Sequence, residues 1–441
     1  MVFSSGVFLF LFLPGLLVTY YAVKSCPTRN YILLITSLMF YAWGEPVFVF
    51  IMTASIFMNW YVTLIMSQST HKKLWLTLAI GLDVLLLGVF KYAGFITENL
   101  GMTRVNIALP IGISFFTFQM MSYVFDVYYG KSQAQRNPLY VALYISFFPQ
   151  LIAGPIVRYS QIEAEITCRS DSWENFSEGV RRFIYGLGKK VLLANFAAQI
   201  ADNVFGYLVN PSVMMSWLGA VAYTFQIYYD FSGYSDMAVG LGLMFGFHFE
   251  ENFNYPYTAS SIRDFWSRWH ISLSTWFRDY VYIPLGGNRV SHGRLIMNLF
   301  TVWLLTGIWH GANWTFILWG LAYFVLLVIE RETGFRLGHI GTMIAVILLW
   351  VVFRSESVGQ AVNYLASMFW LNGNALCDSG FIQYVRDSWS VLVFSLAGIF
   401  PAAKILHRYA WPEAVYLVLV FTLSVCEILS ASYNPFIYFN F

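Results

Sequence analysis

Charge is what this chain has least of. Only 11% of its 441 residues are Asp, Glu, Lys or Arg, against about a quarter in a soluble domain. That scarcity excludes a surface that meets water over most of its area. The 25 basic and 23 acidic residues leave a net charge of +2, which excludes the strong positive field that draws proteins to nucleic acid. Cysteine is scarce too. The four, at 26, 168, 377 and 426, have no C-x-x-C spacing and offer neither a disulfide framework nor a metal-ligand set. The N-terminus lacks a basic leader and a small-residue cleavage site, so it reads as a first membrane helix rather than a removable signal. No tandem repeat and no polar linker breaks the chain, which is read as one polytopic domain over 1–441.

What is present is apolar and aromatic: 58% hydrophobic residues, with 41 Phe, 29 Tyr and 16 Trp. Apolar stretches fall at 7–23, 31–43, 47–66, 74–92, 107–128, 139–157, 183–200, 214–229, 237–247, 295–308, 314–329, 340–353, 391–405 and 414–428. A bilayer crossing takes about 20 residues. The expected fold is an all-α integral membrane protein with roughly eleven to thirteen crossings. The shorter stretches read as re-entrant, broken or tilted elements, which need protein or a cavity to cover their backbone. Lys24 and Arg29 follow the first stretch and Lys72 and Lys73 the third. Both loops are expected in the cytoplasm, with the N-terminus outside.

Three places depart from this apolar background. Residues 295–329 contain no Asp, Glu, Lys or Arg, yet His310 stands among them in WHGANW, 309–314. An imidazole at membrane depth reads either as a proton-transfer group or as a histidine satisfied by a nearby carbonyl. The run is too long for one crossing, so His310-Gly311 is expected to mark a turn between two helices. The second place, YDFSGYSD at 229–236, sets Asp230, Ser232, Tyr234 and Asp236 in an apolar stretch. Gly233 reads as a helix break and Ser235 or Asp236 as a cap, with a lining role open for at least one carboxylate. The third is the polar segment 254–294, with five arginines at 263, 268, 278, 289 and 294. On a helical wheel Phe265, Trp266, Trp269, Leu273, Trp276, Phe277 and Tyr280 share one face, with His270 at its edge. Two readings stand: an amphipathic interfacial helix anchored in lipid, or a helix that turns His270 into the protein while its arginines meet an anionic ligand.

These segments together resemble the membrane-bound O-acyltransferase superfamily. They are most similar to the bacterial membrane subunits that serve O-acetylation of alginate, peptidoglycan and cellulose. The resemblance is carried by MVFSS at 1–5, GISFFTFQ at 112–119, FPQLIAGPIVR at 148–158 and YDFSGYSD at 229–236. It continues through FWSRWH at 265–270, YIPLGGNR at 282–289, WHGANW at 309–314 and the aromatic ending NPFIYFNF at 434–441. It implies a helical bundle around a central tunnel, with His310 as the catalytic residue and His270 as its companion.

The expected reaction follows from that likeness. Neutral His310 accepts the proton of an acceptor hydroxyl as it attacks an acetyl thioester, with acetyl-CoA as donor and no permanently bound cofactor. Asn313, Trp309 or His270 is the expected oxyanion donor. Arg158, Arg268 and Arg278 are candidates for the coenzyme's phosphates, or else for headgroup anchoring and ion pairs. The donor is cytoplasmic and the glycan lies outside, so the acyl group must cross the plane of a bacterial inner membrane. A separate periplasmic acetyltransferase of the SGNH hydrolase type is the implied partner, and the polysaccharide an indirect one. The ending 434–441 also resembles the C-terminal motif of the small membrane peptide of teichoic-acid D-alanylation. That likeness implies that Tyr438 carries the acyl group as a transient ester; an interfacial aromatic anchor is the other reading. D-alanyl or other acyl transfer from a carrier protein, and a transporter or channel without chemistry, are the alternatives.

Overall fold

The computed structural model describes residues 1–206, 210–401, 407–430 and 433–437. The secondary structure is helical, and no strand occurs among the described residues. Two compact units form, each from two separate pieces of chain. One comprises Met1–Phe183 with Tyr234–Glu251, the other Ile184–Gly233 with Asn252–Phe441. This interleaving explains why no linker divides the sequence.

In the first unit, helices Leu13–Tyr21, Cys26–Ala42, Phe48–Gln68, Lys72–Leu87 and Ile113–Tyr128 carry the apolar stretches. Their surfaces are inverted relative to a soluble protein. Phe50 is 74% and Leu85 60% exposed, while Asn59 and Asp83 on the same two helices are fully buried. Asn59 Nδ2 donates to Asp83 Oδ1 at 2.8 Å. Helices that expose Phe and Leu and hide Asn and Asp suit lipid, where each polar group needs a partner inside the protein. Among the described residues four helices are long and apolar enough to cross a membrane: Phe48–Gln68, Lys72–Asn99, Trp314–Thr333 and Ala410–Ser430. The chain is a multi-pass helical membrane protein.

The second unit is organised by aromatic packing. Phe265, Trp266, Trp269, Trp303, Trp319, Tyr323, Trp350 and Phe353 are all buried in one core. Trp266 packs against Trp303 at 4.8 Å and Trp319 at 5.6 Å between ring centroids. The charge-free run divides as expected, into His292–His310 and Trp314–Thr333, with the break at Gly311. Small residues let these two helices close on each other. A Cβ on Gly320 would lie 2.5 Å from the Trp303 carbonyl oxygen, and one on Gly307 2.6 Å from that of Phe316. Close backbone approach at glycine is how membrane helices gain packing without a hydrophobic drive.

Two expectations are corrected. Residues 213–247 do not form two spans broken at Gly233. Val213–Met244 is one helix of 32 residues, about 48 Å long. Gly233 serves packing instead of a break, because a Cβ there would meet the Gly186 carbonyl oxygen at 2.8 Å. The carboxylates need no capping role, since Asp230 pairs with Lys190 at 2.7 Å and Asp236 with Arg182 at 2.7 Å. Nor is 254–294 one amphipathic helix. It forms short helices Ile262–Arg268 and Ile271–Phe277, and its aromatic face is buried in protein, not laid on lipid.

Candidate functional site

The break between those short helices falls at His270, whose φ of +43° is left-handed. For a residue with a Cβ this costs about 1–2 kcal/mol. Backbone hydrogen bonds hold it from both sides. The Asn254 N–H donates to the Arg268 carbonyl and the Ile271 N–H to the Asn252 carbonyl, each at 2.9 Å. The kink turns the imidazole inward, where it is wholly buried and nearly perpendicular to the Phe231 ring, with centroids 4.6 Å apart.

Asn252 fixes the chemistry of this ring. Its Oδ1 accepts the Ser272 backbone N–H at 3.2 Å and the Ser272 hydroxyl at 2.8 Å. A backbone N–H can only donate, so this atom of the amide is the oxygen whatever convention assigns amide flips. His270 Nδ1 lies 3.1 Å from the same oxygen and must therefore carry the proton. In the neutral ring Nε2 then holds the lone pair. Nε2 is buried and has no hydrogen-bond partner among the described residues. Burial pushes the His270 pKa down to about 3, so the ring stays neutral.

His310 closes its helix and is buried. Its ring meets Trp309 at 5.0 Å, Trp319 at 5.0 Å and Phe353 at 5.1 Å, all nearly edge-to-face. Gly311 permits this closure, because a Cβ there would overlap the Phe316 ring at 2.3 Å. Trp309 also contacts His270 at 5.9 Å, so its indole is the shared neighbour of the two imidazoles. Two buried histidines within an apolar aromatic enclosure can exchange protons with a reactant while keeping bulk water away.

Several of the other sequence candidates are engaged by named partners. Asn313 caps Trp314–Thr333, its Oδ1 accepting the Thr315 N–H at 3.1 Å and its Nδ2 donating to the Glu356 carbonyl at 2.8 Å. Arg268 pairs with Asp264 and Arg278 with Asp279, both at 2.7 Å. In the first unit Arg158 pairs with Glu250 at 3.4 Å, and Tyr234 stacks on Phe3 at 4.5 Å. Ser232 is buried, and its Oγ has no hydrogen-bond partner among the described residues. Tyr438 lies outside the described residues. Sequence reasoning passed over Asn252, Ser272 and Lys190. Ser272 lies two residues after His270, a signal that many loops carry, and Asn252 is far from it in sequence.

The sequence pattern of the membrane-bound O-acyltransferase family matches residues 133–358. The chain is 39% identical to the probable alginate O-acetylase AlgI of Pseudomonas putida, over the whole of both proteins. It is 45% identical to the Pseudomonas aeruginosa protein of the same description, over 84% of this chain and 75% of that one. To the peptidoglycan O-acetyltransferase of Helicobacter pylori it is 33% identical, over all of this chain and 98% of the other.

This chain belongs to the membrane-bound O-acyltransferase family. It is an acyltransferase enzyme, and the matched span holds His270, His310, Trp309 and Asn252 together. For such an enzyme the aromatic enclosure has a clear use. An activated acyl group is open to hydrolysis, so an enclosure of buried aromatic rings that keeps water out suits acyl transfer.

Proposed function

We propose that this acyltransferase moves an acetyl group from cytoplasmic acetyl-CoA, through a tunnel containing His310, to an extracytoplasmic acceptor for polysaccharide O-acetylation. The observation that carries the reading is the pair of buried imidazoles on either side of Trp309. The full-length relatives named as alginate and peptidoglycan O-acetylating enzymes support the substrate class. The chain would reside in a bacterial inner membrane with its N-terminus in the periplasm, and a separate periplasmic SGNH-type acetyltransferase would place the acetyl group on the glycan.

In this reading the acceptor oxygen attacks the thioester carbonyl. Its proton passes to His310, the C–O bond forms, the C–S bond breaks, and the proton moves from His310 to the departing thiolate. The fixed lone pair of neutral His270 favours the positive charge that develops on His310. Neutral His270 is thereby removed as an oxyanion donor, and Asn313 is engaged as a cap. Of the three donors considered, this reading assigns that task to Trp309. The immediate acceptor is the Tyr438 phenol, whose ester remains activated enough to pass on to a serine.

The test is turnover in detergent with labelled acetyl-CoA. His310→Ala should lower His310-dependent coenzyme A release and acetyl transfer by at least ~10²-fold with insertion unchanged. Acetyl on Tyr438, lost in Tyr438→Phe, supports the shuttle. Equal turnover in the His310→Ala protein would remove His310 from the proposed chemistry. Faster transfer from a D-alanyl carrier than from acetyl-CoA would replace the donor.

A further inference from the structure

A buried ion pair in the second unit is completed by the chain's own C-terminal segment. Lys190 and Asp230 approach to 2.7 Å, with side chains 4% and 2% exposed. Such a pair is tolerable only if further hydrogen bonds satisfy its remaining donors and lone pairs. Backbone from the last described residues supplies them. Lys190 Nζ donates to the Pro435 carbonyl oxygen, and the Ile437 N–H donates to Asp230 Oδ2 at 2.8 Å. The ammonium also lies 5.6 Å from the Phe436 ring centroid, and Phe436 and Ile437 are both buried.

The contact continues along the same helical segment. Asn195 Nδ2 donates to Asn434 Oδ1 at 3.3 Å, and the Tyr433 hydroxyl to Asp202 Oδ2. Lys190 and Asn195 are five residues apart, a spacing that an α-helix does not align. The π-helical turn Lys189–Ala194 inserts the extra residue that brings them into register. Asp230 is followed by Phe231, which packs on His270 at 4.6 Å. Two backbone groups of this segment, the Pro435 carbonyl and the Ile437 N–H, are thus matched by the two members of one buried ion pair, which a merely adhering tail does not require.

We infer that Lys190 and Asp230 form a clamp for the backbone of Pro435–Ile437, and that they are positioning residues for the residue that follows, Tyr438. The inference rests on the reading that Tyr438 receives the acetyl group. On that reading, loss of the clamp should slow transfer without altering donor binding.

The experiment uses the full chain with its four cysteines replaced by serine and Ile437→Cys as a reporter thiol. In the parent this thiol should react slowly with a small maleimide. The double variant Lys190→Met/Asp230→Leu removes both charges, so neither is left buried alone. It should speed labelling about tenfold, by raising the population of the open segment. With residue 437 native, the same pair of changes should lower kcat for acetylation of Tyr438 about tenfold, leaving KM for acetyl-CoA within about twofold. The reversed pair Lys190→Asp/Asp230→Lys keeps the ion pair but presents a carboxylate to the Pro435 carbonyl and an ammonium to the Ile437 N–H. It should also release the thiol, and it keeps the test open if the apolar variant fails to fold. Lys190→Arg should restore most of the transfer. Unchanged labelling in a folded variant overturns the clamp, even if Tyr438 proves to be acetylated. Faster labelling with unchanged transfer overturns the positioning role. If Tyr438 is never acetylated, the shuttle fails while the thiol still reports on the clamp.

Discussion

Asn252 decides which nitrogen of His270 carries the proton, because its oxygen already accepts from the Ser272 backbone. Asn252→Leu should free the tautomer and lower kcat by ~10-fold or more, whereas Ser272→Ala, which keeps the backbone donor, should act far less. The depressed pKa of His270 also has a stability consequence. Its folded pKa, about 3, lies below the ordinary 6.5, so between these values the unfolded chain binds a proton that the folded chain does not. The stability from the neutral ring is present above about pH 6.5 and falls as pH drops toward 3. Thermal unfolding from pH 7 to pH 4.5 should therefore show a steeper acid decline in the parent than in His270→Gln. Parallel slopes would contradict this account. His310 was legible as a residue because an imidazole stands out in a charge-free run. Asn252 was not, since its importance comes from a backbone N–H twenty residues away in sequence.

Helices His292–His310 and Trp314–Thr333 hold the enclosure around His310, and their approach depends on Gly307 and Gly320. Gly320→Ala places a methyl 2.5 Å from a carbonyl oxygen and should cost about 1–3 kcal/mol, read as a lower unfolding temperature and reduced transfer. Gly81, with nothing within 4 Å of a Cβ, is the control, and Gly81→Ala should leave both unchanged. At the start of the second helix, Asn313→Ala should cost about 1 kcal/mol as a lost cap, and Asn313→Ser should recover most of it. A large activity loss in Asn313→Ser would show a role beyond capping. Elements were readable where the physics was local: the charge-free run had to turn, and it does so at His310-Gly311. They were misread where packing overrode local preference. Gly233 sits inside a continuous helix because another backbone passes close to it. The wheel drawn through 254–294 could not register a left-handed residue at His270.

Across the whole molecule, scarcity of charge was enough to give the membrane class, because lipid tolerates exposed Phe and Leu and penalises exposed polar groups. It said little of internal organisation. The two units interleave along the chain, and the carboxylates read as tunnel candidates turn out to be partnered, Asp230 by Lys190 and Asp236 by Arg182. Pairing of this kind joins residues far apart in sequence and leaves no local pattern. The ending 434–441 carried a likeness but no visible receptor, because Lys190 looks like any other lysine until its carbonyl partner is placed. The account now predicts one direction of flow: donor thioester on one side, acceptor hydroxyl on the other, and His310 between them. The measurement that tests this most directly is acetyl transfer from labelled acetyl-CoA by the protein reconstituted in vesicles, followed by mass spectrometry of the chain. The account predicts coenzyme A release with acetyl on Tyr438, both lost in a correctly inserted His310→Ala protein. Undiminished release and labelling in that variant would contradict it.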